Sequence, residues 1–217
     1  MPSITYASMV DAIAPFAPGC PSLTLQTTAR KITKDLCQRA KVWRGFMAPV
    51  NLAVGVHAYT PVTGLAYGEL NDVIDAYVVI DNQKNDVKWQ AYADVRRIAP
   101  AWPQDYAGRP ARITSLQPGE VQLAPVPDTV GTLTIYASMR PKDDDTEFDL
   151  ATYSEFSRAI FHGVLSEILA MPQRSWADAK AATMHGRQWT YLLNAAKDRA
   201  MRGYNQADLT VAMRPFA

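Results

Sequence analysis

The chain has 217 residues, 48% of them hydrophobic and 20% charged, a balance that can bury a core and excludes disorder over most of its length. Twenty-two basic residues against 21 acidic ones leave a net charge of +1, which gives no overall electrostatic reason to expect a nucleic-acid or membrane-surface binder. Two cysteines, Cys20 and Cys37, are too few for a disulfide framework, and no run approaches the roughly 18 to 20 apolar residues of a membrane span.

The opening Pro2-Ser3 lacks a basic and then apolar leader, so a reduced protein made inside the cell is expected. A short helix is expected from Ser8 to Ile13, ended by Pro15, Pro18 and Gly19. From Ser22 to Trp43 the apolar residues Leu25, Ala29, Ile32, Leu36, Ala40 and Trp43 recur at steps of three and four, which is one face of an α-helix. Pro21 with Ser22 supplies its start, and Arg30, Lys31, Lys34, Arg39 and Lys41 leave its other face polar.

Between Phe46 and Met139, β-branched and aromatic residues cluster in short runs separated by Pro, Gly, Asn and Asp. This pattern predicts strands at Val50 to Val56, Ala76 to Ile80, Val87 to Tyr92, Ala111 to Leu116, Glu120 to Leu123 and Gly131 to Ser138. Turn signals lie at Asp81-Asn82, Pro118-Gly119 and Pro125 to Asp128. An antiparallel sandwich or small barrel is expected here, since helical patterns between the strands, as βαβ units need, are missing.

Beyond Pro141, the carboxylates Asp143, Asp144, Asp145, Glu147 and Asp149 lead into a helix marked by Leu150, Tyr153, Phe156, Ile160, Val164 and Ile168. Gly163 within it predicts close contact with another helix, and Pro172 ends it. Ser175 then offers an N-cap, with Asp178 at the third position of a long helix through Trp189, Leu192, Leu193, Ala196 and Ala200 to Gly203. The final segment, 204–217, alternates through Leu209, Val211 and Met213 and reads as an extended arm.

Charge is uneven. Arg30, Lys31, Lys34, Arg39, Lys41 and Arg44 face only Asp11 and Asp35 in the first 45 residues, the middle is mildly acidic, and the remainder is balanced. Such unevenness is read either as solvated faces or as surfaces where copies of the chain meet head to side.

The search for chemistry finds little. His57, His162 and His185 are scattered, without Cys-x-x-Cys or His-Glu-x-x-His, so no metal is expected. Gly-x-Gly-x-x-Gly and the Walker pattern are absent, and Gly55, Gly64 and Gly68 read as turn glycines, so no nucleotide cofactor is expected. Cys37 reads as a buried thiol on a helix face, no Gly-x-Ser-x-Gly elbow exists, and the Asp143 to Asp149 run reads as a helix start without EF-hand spacing. The chain is therefore not expected to be an enzyme. Trp89, Tyr92, Trp102 and Tyr106 offer a stacking surface for sugar or single-stranded nucleic acid, against a role in packing. Arg30, Lys31 and Lys34 offer contacts to DNA phosphates, against a solvated or subunit-facing role.

Taken in order, several weak motifs form a pattern. Pro18-Gly19-Cys20-Pro21 leads into a helix holding Ala29-Arg30 and Leu36-Cys37, and a strand-rich middle follows. Ile113 to Ser115, Val121 to Pro127, Leu133 to Tyr136 and Arg140-Pro141 precede the helix Phe156 to Leu169 with Ala159-Ile160 and Gly163. Met171-Pro172, Ser175-Trp176 and Ala181-Ala182 then open the last helix. This order resembles the head-to-tail adaptor (head-completion, or connector) proteins of tailed bacteriophages, over about residues 5 to 203.

The resemblance implies an α+β fold: a helical bundle from the N- and C-terminal helices (1–45 and 140–203), an inserted antiparallel β-rich domain (46–139) and a C-terminal arm (204–217). It implies a virion protein without catalysis or cofactor, forming a homo-oligomeric ring, commonly a dodecamer, under the portal. Its partners would be the portal, tail or nozzle proteins and its own copies, and genomic DNA would pass through the lumen without sequence-specific binding. Leu209, Val211 and Met213 are the expected portal-binding residues. The alternatives are another neck component such as a tail terminator, or a carbohydrate-binding β-sandwich, with cell-wall hydrolysis a weaker third.

Overall fold

In the computed structural model, which describes residues 2–64 and 67–202, the elements run as follows. The chain opens with β1 (Ser3–Thr5), α1 (Tyr6–Asp11), a 3₁₀ turn (Ala14–Phe16), α2 (Ser22–Ala40), β2 (Arg44–Phe46), β3 (Val50–Leu52) and β4 (Ala58–Tyr59). It continues through β5 (Gly68–Ile80), β6 (Gln83–Asp86), β7 (Lys88–Trp89), α3 (Tyr92–Ile98), β8 (Ala107–Gly108), β9 (Arg112–Thr114) and β10 (Val121–Ala124). It closes with β11 (Val126–Pro127), β12 (Gly131–Pro141), β13 (Glu147–Asp149), α4 (Leu150–Ile168) and α5 (Ala179–Arg202). Two compact units result, one from the first five residues with Trp43–Leu150, the other from Tyr6–Val42 with the chain after Leu150.

The β-rich unit is organised by its two long strands. Leu133, Ile135, Ala137 and Met139 on β12 and Leu70, Val73, Ala76, Val78 and Ile80 on β5 turn inward and are buried, because alternate residues of a strand share a face. The two strands pair antiparallel in a sheet of order β2-β12-β5-β6, and β3 also pairs with β12. The pairing shifts register twice, between Tyr136 and Ala137 and between Ser138 and Met139. Each shift leaves an extra residue on β5, and such bulges bend the strand and curl the sheet. Asp81 and Asn82 both adopt positive φ, 51° and 59°, the conformation of a tight hairpin turn joining β5 to β6.

The helical unit is built on α2, whose buried Leu25, Ala29, Ile32, Leu36 and Ala40 form the stripe expected from the spacing. Lys41 stops the helix in the left-handed conformation, φ 53°, with its N–H donating to the Cys37 carbonyl. On α4 the buried stripe includes Ile160, Gly163, Val164 and Ile168. A Cβ at Gly163 would sit 2.5 Å from Ile32 Cγ2 and 3.0 Å from Trp189 Cε3, so the absence of a side chain permits α2, α4 and α5 to approach one another.

The arrangement implied by the resemblance, a bundle supplied by the two ends of the chain around one inserted sandwich or barrel, is not the one that forms. Strands are not confined to the middle: β1 lies ahead of every helix and pairs with β13, Ile4 opposite Phe148. A helix, α3, replaces the end of the strand expected through Tyr92, because Tyr92 to Ile98 buries Val95 and Pro100 follows. Among the described residues four separate sheets form, two of which contain a parallel pairing, β8 with β11 and β7 with β9. Pro110, Pro118, Pro125 and Pro127 remove ladder donors and keep the strands around them to four residues or fewer, too short for one continuous sandwich. The fold is α+β, rich in short strands, with a curled antiparallel main sheet.

Candidate functional site

The four aromatic residues expected to make a stacking surface do not share one. Trp102 is 1% exposed and belongs to a small core with Val95, Ala99, Ala124 and Val126, against which Tyr92 and Tyr106 pack. Its indole N–H donates to the Leu123 carbonyl at 2.9 Å, leaving the ring no polar edge for a ligand. Of the four, Trp89 alone is well exposed.

The basic face of α2 is largely occupied within the chain. Lys31 pairs with Glu167 at 2.9 Å, Arg39 with Asp35 at 3.1 Å, and the Arg30 guanidinium lies over the Tyr6 ring. Cys37 is fully buried on α2, while burial pushes the half-buried Cys20 thiol up and so disfavours its thiolate. The acidic run leads directly into α4, as expected, but its last three residues, Glu147 to Asp149, form strand β13, and Asp149 is buried. Burial raises the Tyr67 phenol, with the nearby carboxylates of Asp149 and Glu147 adding to the effect. Leu209, Val211 and Met213 lie outside the described residues.

Two histidines expected to be scattered are brought together. His162 on α4 and His185 on α5 place their Nδ1 atoms 2.8 Å apart, one donating to the other, beside the Phe161 ring. Burial pushes both below the usual histidine range, and the positive charges of His185 and Arg158 push His162 further. Burial thus favours the neutral form of both rings, in which the Nδ1–H of one donates to the bare Nδ1 of the other. The spacing Ala182, His185, Trp189, Leu193, Ala196 is helical and would have shown that His185 faces inward. Among the described residues, no group of three or more His, Cys, Asp or Glu is placed to hold a metal ion.

No protein-family model and no curated protein matches this chain. No described helix is long and apolar enough to cross a membrane.

What the surface does offer is large apolar side chains on regular elements. Phe46 (66% exposed) on β2 stands directly opposite Tyr136 on β12, with ring centroids 5.0 Å apart, and Tyr136 stands opposite Asp75 on β5. The next row of the same face holds Thr134, Tyr77 and Asp86, with Lys84 Nζ 4.2 Å from the centre of the Tyr77 ring. Ile74 is the extra residue of the first bulge, which is why it and Asp75 are both exposed. On α5, Ala182, His185, Trp189, Leu193 and Ala196 turn inward, so Lys180, Met184, Arg187 and Tyr191 line the outer face. Met184 is 55% and Tyr191 69% exposed. Sequence reasoning overlooked both faces because each reads as the ordinary outer half of an amphipathic element.

Proposed function

We propose that this chain is a structural virion protein, a head-to-tail adaptor of a tailed bacteriophage. Copies form a ring, twelve in the expected case, beneath the portal; the ring joins the capsid vertex to tail or nozzle proteins and lets DNA pass without sequence-specific binding. The observation that carries this reading is the ordered series of motifs from Pro18-Gly19-Cys20-Pro21 to Ala181-Ala182. The exposed aromatic and methionine side chains on a sheet face and a helix face support it, since large apolar residues held on rigid elements suit contacts between proteins. The arm docks on the portal through Leu209, Val211 and Met213 as an added strand or extended segment.

The test in the virus is an amber mutation in the gene, grown without suppressor. DNA-filled heads that fail to join tails are expected, with the protein located at the neck of wild-type particles. Normal tailed particles lacking the protein would contradict the reading. Removal of residues 204–217 is expected to abolish portal binding while leaving the far-ultraviolet circular dichroism of the remaining chain folded; unchanged binding would remove the arm from the account.

A further inference from the structure

The two units carry opposite charge. Residues 1–5 with Trp43–Leu150 hold 14 carboxylates and nine cations, net −5, whereas Tyr6–Val42 with Ala151–Ala217 hold seven carboxylates and 13 cations, net +6, together the chain's +1. An object with an acidic part and a basic part attracts its own copies in a head-to-side sense and repels them in the two like-to-like senses.

Each unit also presents an apolar patch with charges of its own sign beside it. On the acidic unit, Phe46 and Tyr136 lie beside Asp75, which is exposed and whose carboxylate accepts from the adjacent Ala76 N–H at 2.9 Å. On the basic unit, Met184 and Tyr191 lie beside Lys180 and Arg187, neither of which has an ion pair with a described residue. The first turns of α5 form a shallow depression lined by Asp178, Lys180, Thr183, Met184, Arg187 and Gln188.

We infer that the occupant of each patch is the other patch on a second copy of this chain: the aromatic face of β2-β12-β5 seats on the outer face of α5 of its neighbour. This identifies the subunit contact within the adaptor ring and rests on that reading for its closure into a ring. The contact is heterologous, because two different surfaces meet, so a dimer leaves one patch open at each end and association continues until a ring closes or a filament grows. Apolar contact of Phe46 and Tyr136 with Met184 and Tyr191 supplies the dry centre, and Asp75 opposite Arg187 or Lys180 fixes the sense of approach.

The experiment is sedimentation of the full chain from micromolar to millimolar concentration at low and high salt. Wild type is expected to grow past dimer, less readily at high salt. Asp75→Lys and Arg187→Glu are each expected to weaken association about tenfold or more, the scale of one lost interfacial charge pair. An equimolar mixture of the two variants is expected to associate again, since each retains the face that the other needs. Phe46→Ser, an exposed change that leaves the charges alone, is expected to weaken association as well. A chain that stays monomeric at millimolar concentration, stops at a dimer, or associates unchanged with these variants would overturn the contact. The adaptor reading would survive that result, because it rests on the order of the sequence motifs and is tested separately by portal binding.

Discussion

Gly163 shows how much packing rests on a missing methyl group. Alanine is the better helix former by about 1 kcal/mol, but its Cβ would lie 2.5 Å from Ile32 Cγ2, and overpacking of this kind costs about 1–3 kcal/mol. Gly163→Ala is therefore expected to lower stability in urea unfolding, with the same slope and an earlier midpoint; a rise in the midpoint would show that the helices separate freely. Trp102→Ala is expected to cost about 3–5 kcal/mol, because a buried indole is lost and the Leu123 carbonyl loses its donor. A cost below about 1 kcal/mol would place Trp102 on the surface that the sequence first suggested. The glycine was legible, since a glycine within an apolar stripe signals a close approach. Trp102 was not, because a tryptophan near Pro103 in a short-stranded region reads equally as core or as surface.

At the scale of elements, the helices with a strong period were recovered and the short strands less so. The stripe Leu25 to Ala40 is buried as spaced, but Trp43 belongs to the β-rich unit beyond the stop at Lys41. The last helix begins at Ala179, where Asp178 Oδ1 accepts from the Ala181 N–H at 2.9 Å, so the cap is Asp178 and not Ser175. The helix has 24 residues, about 36 Å. Strand β5 reaches back to Gly68, well before Ala76, because its two bulges break the alternation that marks a strand.

The α4–α5 histidine pair yields a pH dependence. Both groups titrate lower in the folded chain than their ordinary value of about 6.5, so the unfolded chain takes up protons first as pH falls. Stability is full above that value, declines as pH drops through it, and stops declining from this source below the folded values. The melting temperature is expected to fall between about pH 7 and pH 5, and the double variant His162→Gln/His185→Gln is expected to flatten that part of the profile. A profile unchanged by the double variant would detach the pair from stability. By contrast, Lys31→Ala is expected to change stability by less than about 1 kcal/mol, since its bond to Glu167 is exposed to water.

For the whole molecule, the division of charge between the two units was only partly legible. Counting by blocks of sequence gave a basic start, an acidic middle and a balanced end, but folding assigns the end to the basic unit and the acidic run 143–149 to the β-rich one. The wrong expectation of a bundle around a single insertion arose at the same scale, because pairing of β1 with β13 leaves no mark in either short segment alone. The adaptor reading is tested most directly by mixing the full chain with the portal ring encoded by the same genome, then sizing and imaging the product. The account predicts a stable complex in which a ring of this chain stacks on the portal, with the arm required. Folded, full-length protein that forms no complex with an intact portal would contradict it.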